Sequence, residues 1–299
     1  MDNLRLPVSV VITTYNDAEY LEQALNSVIK QTILPTEVII VDDGSETNKA
    51  ERIVGEKFWG TPLDLTYYRK NNGGPSSARN YGLKCSRQKY LAFLDVDDRM
   101  LPENLESKFK LIDSLPNNYF SVYGSYIISR NNKEANYRDY DGAPPTSLIG
   151  RRDGIPGCVY SYLFRRDLLD EVGGFDEELT HNEDFDLLIR LIKKGHYCRG
   201  STGPGLYRNY RPGSLTRNTK YYEVYNAVSL FLSKAQDNDY FSEEELNKRR
   251  KSNSLSLARK LFLGGKPKGH VKSALLEAFS YSKPSSYKEY LAYLFCKII

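Results

Sequence analysis

The chain has 299 residues, 40% hydrophobic and 27% charged, a balance that excludes a disordered chain and suits a packed one. Its formal charge of +4 is too small to call for a nucleic-acid partner. Four scattered cysteines, Cys85, Cys158, Cys198 and Cys296, exclude a disulfide framework or zinc ribbon and fit a reducing compartment. No run of some 20 apolar residues could cross a bilayer, and the N-terminus lacks the layout of a signal peptide.

In chain order, Val8 to Thr13 reads as a buried parallel strand. Asn16 or Asp17 is placed to cap a helix whose apolar face is Leu21, Ala24, Leu25 and Val28. A second strand, Val38 to Val41, runs into Asp42-Asp43-Gly44-Ser45. A third spans about Leu63 to Tyr68, and a helix opens near Gly74-Pro75, where proline suits the first turn. A fourth, Tyr90 to Leu94, stops at Asp95-Val96-Asp97-Asp98, with a further helix from Pro102. This alternation predicts an α/β fold with an open, mainly parallel sheet flanked by helices. Ligands of such sheets bind beyond the carboxyl ends of the strands, where this chain places its Asn, Asp, Gly and Arg.

Beyond residue 118 the pattern loosens. Tyr119 to Ser129 alternates like a strand, and residues 131 to 154 read as a loop. Arg166 to Glu171 and Glu183 to Lys194 read as helices, the second stopping at Gly195. From about 218 the chain is helical, with a break at Gly264-Gly265-Lys266-Pro267. The closing YLAYLFCKII reads either as a core helix or as an interfacial anchor. Lys248, Arg249, Arg250 and Lys251 are either a solvated helix face or a contact with an anionic surface.

Five constellations carry chemistry. Carboxylates crowded at Asp95, Asp97 and Asp98 repel one another unless a cation lies between them, and hard oxygen ligands suit Mg²⁺ or Mn²⁺. Asp98 could instead only cap the next helix. Asp42 and Asp43 could contact a base or ribose, or simply make a tight turn. Asn72 to Gly82 offers close backbone approach, with Arg79 either holding phosphate or pairing with the acidic turn. Glu183 and Asp184 at a helix start either complement the dipole or supply a general base. Tyr207 to Ser214 is a basic, aromatic segment that either neutralises a diphosphate or forms a surface loop. Neither a dinucleotide fingerprint nor a P-loop is present.

Together V-V-I-T-T-Y-N, V-D-D-G-S, N-G-G-P-S-S-A-R-N-Y-G, F-L-D-V-D-D, G-G-F-D-E and E-D-F-D-L, in this order, resemble family 2 glycosyltransferases over about residues 7 to 217. The resemblance implies a GT-A fold at 1–217, with a nucleotide-binding half to about 100 and an acceptor half after it. Residues 218–299 form a helical C-terminal extension. It implies inverting transfer from a nucleotide-sugar donor, a UDP-sugar above all, to a glycan or lipid-linked acceptor. By position, Thr14, Tyr15 and Asn16 frame the nucleoside, and Asp42 or Asp43 contacts the base. Asp97 is the principal ligand of Mn²⁺ or Mg²⁺, and Asp95 contacts ribose or metal. Asp184 is the base, with Glu183 its neighbour. Where many relatives carry a His, this chain has Tyr210 and Arg211, and Arg211 can neutralise diphosphate. A cytoplasmic protein, peripheral at the inner face of the membrane, is the expected setting. A nucleotidyltransferase making sugar nucleotides and a non-catalytic sugar-nucleotide binder are the competing readings.

Overall fold

The computed structural model describes residues 4–129, 132–151, 153–209 and 221–298. The chain divides into two compact units, Met1–Tyr210 and Arg211–Ile299. The boundary expected near 217 lies outside the described residues.

In the first unit, β1 (Leu6–Thr14), α1 (Leu21–Ile29), β2 (Pro35–Asp42), α2 (Lys49–Lys57), β3 (Leu65–Arg69), α3 (Gly74–Cys85) and β4 (Tyr90–Asp95) follow the predicted alternation. β1 pairs in parallel with β2 and β4, and β2 with β3. Val8, Val10 and Ile12 of β1 are fully buried, because both faces of a central parallel strand are covered. They pack with Leu21, Ala24, Leu25 and Val28 of α1, the face expected from its spacing. α3 lies close on β1: a Cβ on Gly82 would sit 2.3 Å from Val11 Cγ1, so a larger residue would push the helix off the sheet.

The predicted cap of α1 is not made by Asp17. Its Oδ1 instead accepts the Thr14 hydroxyl at 2.7 Å and the Tyr15 amide at 3.0 Å, tying it back to the end of β1. A 3₁₀ turn, Ala18–Tyr20, leads into the helix.

The sheet continues with β5 (Arg99–Met100), β6 (Tyr119–Ile128), β7 (Lys133–Ala135), β8 (Asp141–Gly142), β9 (Tyr162–Arg165) and β10 (Tyr197–Arg208). Helices α4 (Asn104–Ser114), α5 (Arg166–Glu171) and α6 (Glu183–Lys193) accompany them. The main strand order is β3-β2-β1-β4-β9-β6-β10-β5. β9 is antiparallel to both β4 and β6, which joins the two halves into one sheet. The segment read as a loop from 131 to 154 contains β7 and β8, short edge strands whose polar residues hid them. β9 escaped notice because its four residues, all buried, are too short for periodicity to register.

The second unit is helical in its described residues: α7 (Tyr221–Asp237), α8 (Glu243–Leu263), α9 (Lys268–Tyr281) and α10 (Tyr287–Ile298). Leu257, Ala258, Leu261, Val271, Ala274, Leu275 and Cys296 form its core. No helix among the described residues is long and apolar enough to cross a membrane. The basic run Lys248 to Lys251 is not one uniform solvated face: Lys248 is exposed, Arg249 and Arg250 are half-buried and Lys251 is buried. Lys248 and Arg249 pair with Glu244 and Glu245 one turn earlier. Lys251 is buried, its Nζ 2.6 Å from both Glu289 and the Lys283 carbonyl.

Candidate active site

The carboxyl ends of β1, β2 and β4 and the start of α6 supply the polar residues. Each arises from the same local event: a buried apolar strand ends, and the next residues must satisfy their backbone groups in a turn.

At the end of β1, Thr14 is buried and Tyr15 is about half exposed, at 49%. Asn16 adopts φ 55°, its amide donates to Ser45 Oγ at 2.9 Å, and its Oδ1 accepts the Glu46 amide at 2.8 Å. These contacts lock the first strand end onto the second.

At the end of β2, Asp42 is fully buried. One of its oxygens accepts the Ser45 amide at 2.7 Å, the other the Tyr67 hydroxyl at 2.9 Å. Burial, then the Asp42 carboxylate, raises the Tyr67 pKa, so this phenol stays a donor. Asp43 accepts the amides of Gly73 (3.0 Å) and Gly74 (2.7 Å), and Lys70 Nζ lies 2.7 Å away. It thus anchors the N-terminus of α3, where helix amides favour a negative group. Gly44, at φ +81°, brings this turn against Asn72: a Cβ there would lie 2.8 Å from the Asn72 amide nitrogen. Asn72 Nδ2 donates to the Asp43 carbonyl at 3.0 Å while the residue itself is exposed. Asp42, expected at the base, has no exposed surface for one, and Asp43 has its carboxylate committed to three donors, Lys70 Nζ and the Gly73 and Gly74 amides.

Arg79 is the hub of the site. It is buried, and its guanidinium reaches Asp95 (3.2 Å), Glu183 (3.0 Å) and Asp184 (3.4 Å). The Phe175 ring lies beneath it at 5.5 Å. Burial opposes its charge, but Asp184, Asp95 and Glu183 outweigh that and raise its pKa. Arg79 therefore makes the pair with the acidic turn and presents no open fork to phosphate. Its one buried nitrogen without a partner, Nε, is enclosed in the protein.

The Asp95 side chain is about one-third exposed, and Asp97 is partly exposed. Asp98 is buried and accepts the Asn209 amide at 2.8 Å. It does not cap α4, because β5 intervenes. Burial, then the charges of Asp95 and Asp97, push its carboxyl well above the usual range, while the Asn209 amide and Arg208 pull the other way. Among the described residues no three His, Cys, Asp or Glu side chains form a ready metal cage. Two part-exposed carboxylates under like-charge pressure fit a hard cation whose shell is completed by phosphate oxygens and water.

Asp184 stands at the second position of α6, after Asn182 in the left-handed region at φ 65°. Its Oδ2 accepts the Val159 amide at 3.1 Å. Burial first, then Glu183 and Asp95, push its carboxyl up to about 7, against Arg79 and the Val159 amide. That places a proton acceptor near neutrality in the cluster. The expected pair Glu183 and Asp184 thus meets Asp95 through one arginine, which lies 105 residues before Asp184 in the chain.

Several contributors were not singled out from sequence. Phe175 lies under Arg79 and is held by Asn80, which accepts its amide (2.8 Å) and donates to its carbonyl (2.9 Å). That contact docks G-G-F-D-E on A-R-N, and only the co-occurrence of the two motifs hinted at it. Both ring nitrogens of His181 are buried without a hydrogen-bond partner, two residues before Glu183. Arg208 acts electrostatically on Asp98 and lies 5.7 Å from the Tyr160 ring. Arg211 and Tyr210 lie outside the described residues. A separate groove of about 810 Å³ runs beside β5, lined by Asn26, Lys30, Arg99, Asn132 and Tyr207 among others, and holds none of the carboxylates.

The glycosyl transferase family 2 model matches residues 9–173, more than half of the chain and every strand end described above. The chain belongs to glycosyl transferase family 2. A relative from Bacillus subtilis, the minor teichoic acid biosynthesis protein GgaB, is 40% identical over 222 residues, covering 71% of this chain and 24% of GgaB. An uncharacterized glycosyltransferase of Rickettsia conorii is 32% identical over 197 residues, covering 62% of this chain and 31% of that protein. The chain thus spans about a third or less of these two relatives. Among solved structures, S. aureus TarS 1–349 superposes with a TM-score of 0.61 at 20% identity, covering 92% of this chain and 81% of TarS 1–349. The mannosyltransferase PcManGT of Pyrobaculum calidifontis, in complex with GDP-Man and Mn2+, gives 0.59 at 15% identity, covering 99% and 80%. These likenesses establish the GT-A fold of the family 2 chain.

Proposed function

We propose that this family 2 chain is an inverting glycosyltransferase. It moves a sugar from a nucleotide-diphosphate sugar, UDP-linked in the first instance, to a hydroxyl of a glycan or lipid-linked acceptor. The observation that carries the reading is Asp184: a part-buried carboxyl lifted to about 7, fixed by the Val159 amide and Arg79 beside the acidic end of β4. Family membership supports it, as do TarS, solved with UDP and with UDP-GlcNAc, and PcManGT with GDP-Man and Mn2+.

In this reading Asp184 takes the proton of the acceptor hydroxyl as its oxygen attacks the anomeric carbon. The bond from that carbon to the diphosphate oxygen breaks in the same step, which inverts the centre and needs no carboxylate nucleophile. Glu183 keeps Asp184 basic through like charge, and Arg79 holds both in place. Asp97 and Asp95 would hold Mn²⁺ or Mg²⁺, which would supply positive charge to the leaving diphosphate. Tyr15, half exposed, and Asn72 face the nucleoside, while Thr14, Asn16, Asp42 and Asp43 shape the turns behind it. We assign this work to residues 1–217, with 218–299 an extension, and place it at the cytoplasmic side where nucleotide sugars are made.

The test is thermal stabilisation by UDP, GDP and dTDP, each with and without Mn²⁺, followed by turnover of the corresponding sugar nucleotides. A metal-dependent shift with one diphosphate, and turnover lost in Asp184→Asn with that shift retained, is the expected result. Folded protein that responds to no nucleotide overturns the reading.

A further inference from the structure

The second unit carries an apolar face that its own core does not use. On α10, Tyr287, Tyr290, Leu291, Leu294 and Ile298 are 49–83% exposed. Their spacing of i, i+3, i+4, i+7 and i+11 lines one side of the helix. The opposite side is used: Cys296 is buried in the core, and Ala292 and Phe295 pack against it. At the end of α8, Phe262 and Leu263 are also exposed, and the Phe262 ring meets Phe295 edge-on at 5.6 Å, joining the two surfaces.

The segment that carries this face is net basic. Residues 211–299 contain 16 Lys and Arg against 8 Asp and Glu, a net +8, whereas residues 1–210 contain 26 against 30, a net −4. Glu244 and Glu245 of α8 are paired within their helix, and Glu289 of α10 is committed to Lys251 and to Ser285. Lys266 in the α8–α9 connection, Lys268 at the start of α9, and Lys288 and Lys297 on α10 are exposed. A second copy docked here would bring the same positive charge to the contact. An anionic surface with an apolar interior matches both features. At 12 residues α10 is about 18 Å long, too short to span a bilayer but suited to lie in its interface, with tyrosines at headgroup depth.

We infer that the α10 stripe, with Phe262, Leu263 and these exposed lysines, is a docking surface for an anionic lipid bilayer. This places the membrane contact on α10 and the α8–α9 turn, not on the Lys248 to Lys251 run. The inference does not rest on the transferase reading, since Asp184→Asn is expected to bind vesicles as the unaltered chain does.

Flotation of the full chain with vesicles of phosphatidylcholine, with or without phosphatidylglycerol, tests it. Binding is expected to the anionic vesicles and to weaken as salt is raised. Leu291→Glu with Leu294→Glu should abolish it. Lys266→Gln, Lys268→Gln and Lys288→Gln together should weaken it about a hundredfold. Unchanged thermal midpoints show that these exposed positions leave the fold intact. Failure of the folded chain to bind anionic vesicles overturns the inference. So does a vesicle-free dimer that the Leu291→Glu and Leu294→Glu pair dissociates, which would give the face to a second copy.

Discussion

The turns Asp42-Asp43 and Asp95-x-Asp97-Asp98 look alike in sequence, each a carboxylate cluster directly after a buried strand. Their surroundings are opposite. Asp42 and Asp43 are buried and met by Ser45, Tyr67, Lys70 and two glycine amides. Asp95 shares a single arginine with Glu183 and Asp184, while Asp98 is buried under the charges of Asp95 and Asp97. The first turn is satisfied by the chain itself and holds β2 to α3. The second keeps Asp95 and Asp97 partly exposed above a buried Asp98 whose carboxyl their charges help to raise. A carboxylate's partners, more than its motif, separate structural from chemical work.

The largest expected effect is at the base. Asp184→Asn removes the proton acceptor and should lower kcat by about 10²–10⁴-fold with nucleotide affinity retained, read by steady-state turnover and titration. An unaltered kcat would move the base elsewhere.

The two turns can then be compared directly. Asp97→Asn should abolish the metal-dependent part of nucleotide stabilisation while leaving the bare thermal midpoint nearly unchanged. Asp43→Asn should do the reverse at first order, costing about 3 kcal/mol of stability because Lys70 and the Gly73 and Gly74 amides lose a buried anion. Urea unfolding of both variants reads the difference, and equal stability losses would erase the distinction.

A smaller effect is in pH. With Asp184 at about 7 in the free protein, kcat/KM should fall about tenfold per pH unit below that value and level off above it. Because its folded pKa lies above its unfolded one, the protonated carboxyl stabilises the fold below about pH 4, and that contribution is lost as pH rises through 7. Asp184→Asn should flatten the low-pH limb of any residual rate.

The smallest effect is at Asp98, whose carboxyl is raised by burial and by its two neighbours. The same sign applies, so Asp98→Asn should raise the metal-free thermal midpoint at pH 8 by roughly a few degrees and leave it unchanged near pH 3. A lower midpoint at pH 8 would show that the bond to the Asn209 amide outweighs the repulsion.

Much of the first unit was legible in the residues. β1, β2, β4 and α3 announced themselves because central parallel strands are apolar on both faces and because Pro75 marks a helix start. The apolar face of α1 and the stop of α6 before Gly195 followed from spacing and punctuation in the same way. β7, β8 and β9 did not, because edge strands are polar and four buried residues show no period. In the second unit, the break between α8 and α9 was readable from its glycines and proline, but the burial of Lys251 was not.

For the site, local sequence determined which residues could do chemistry: acids at strand ends, an acidic pair at a helix start, and an arginine between glycine-rich turns. Only the tertiary structure decided which of them are spent. It buried Asp42, committed Asp43 to three donors and gathered Asp95, Glu183 and Asp184 on Arg79. The reason is range. Strand and helix signals are read within a turn or two of the chain, whereas a carboxylate's charge state is set by burial and by groups that folding brings within a few ångströms from a hundred residues away.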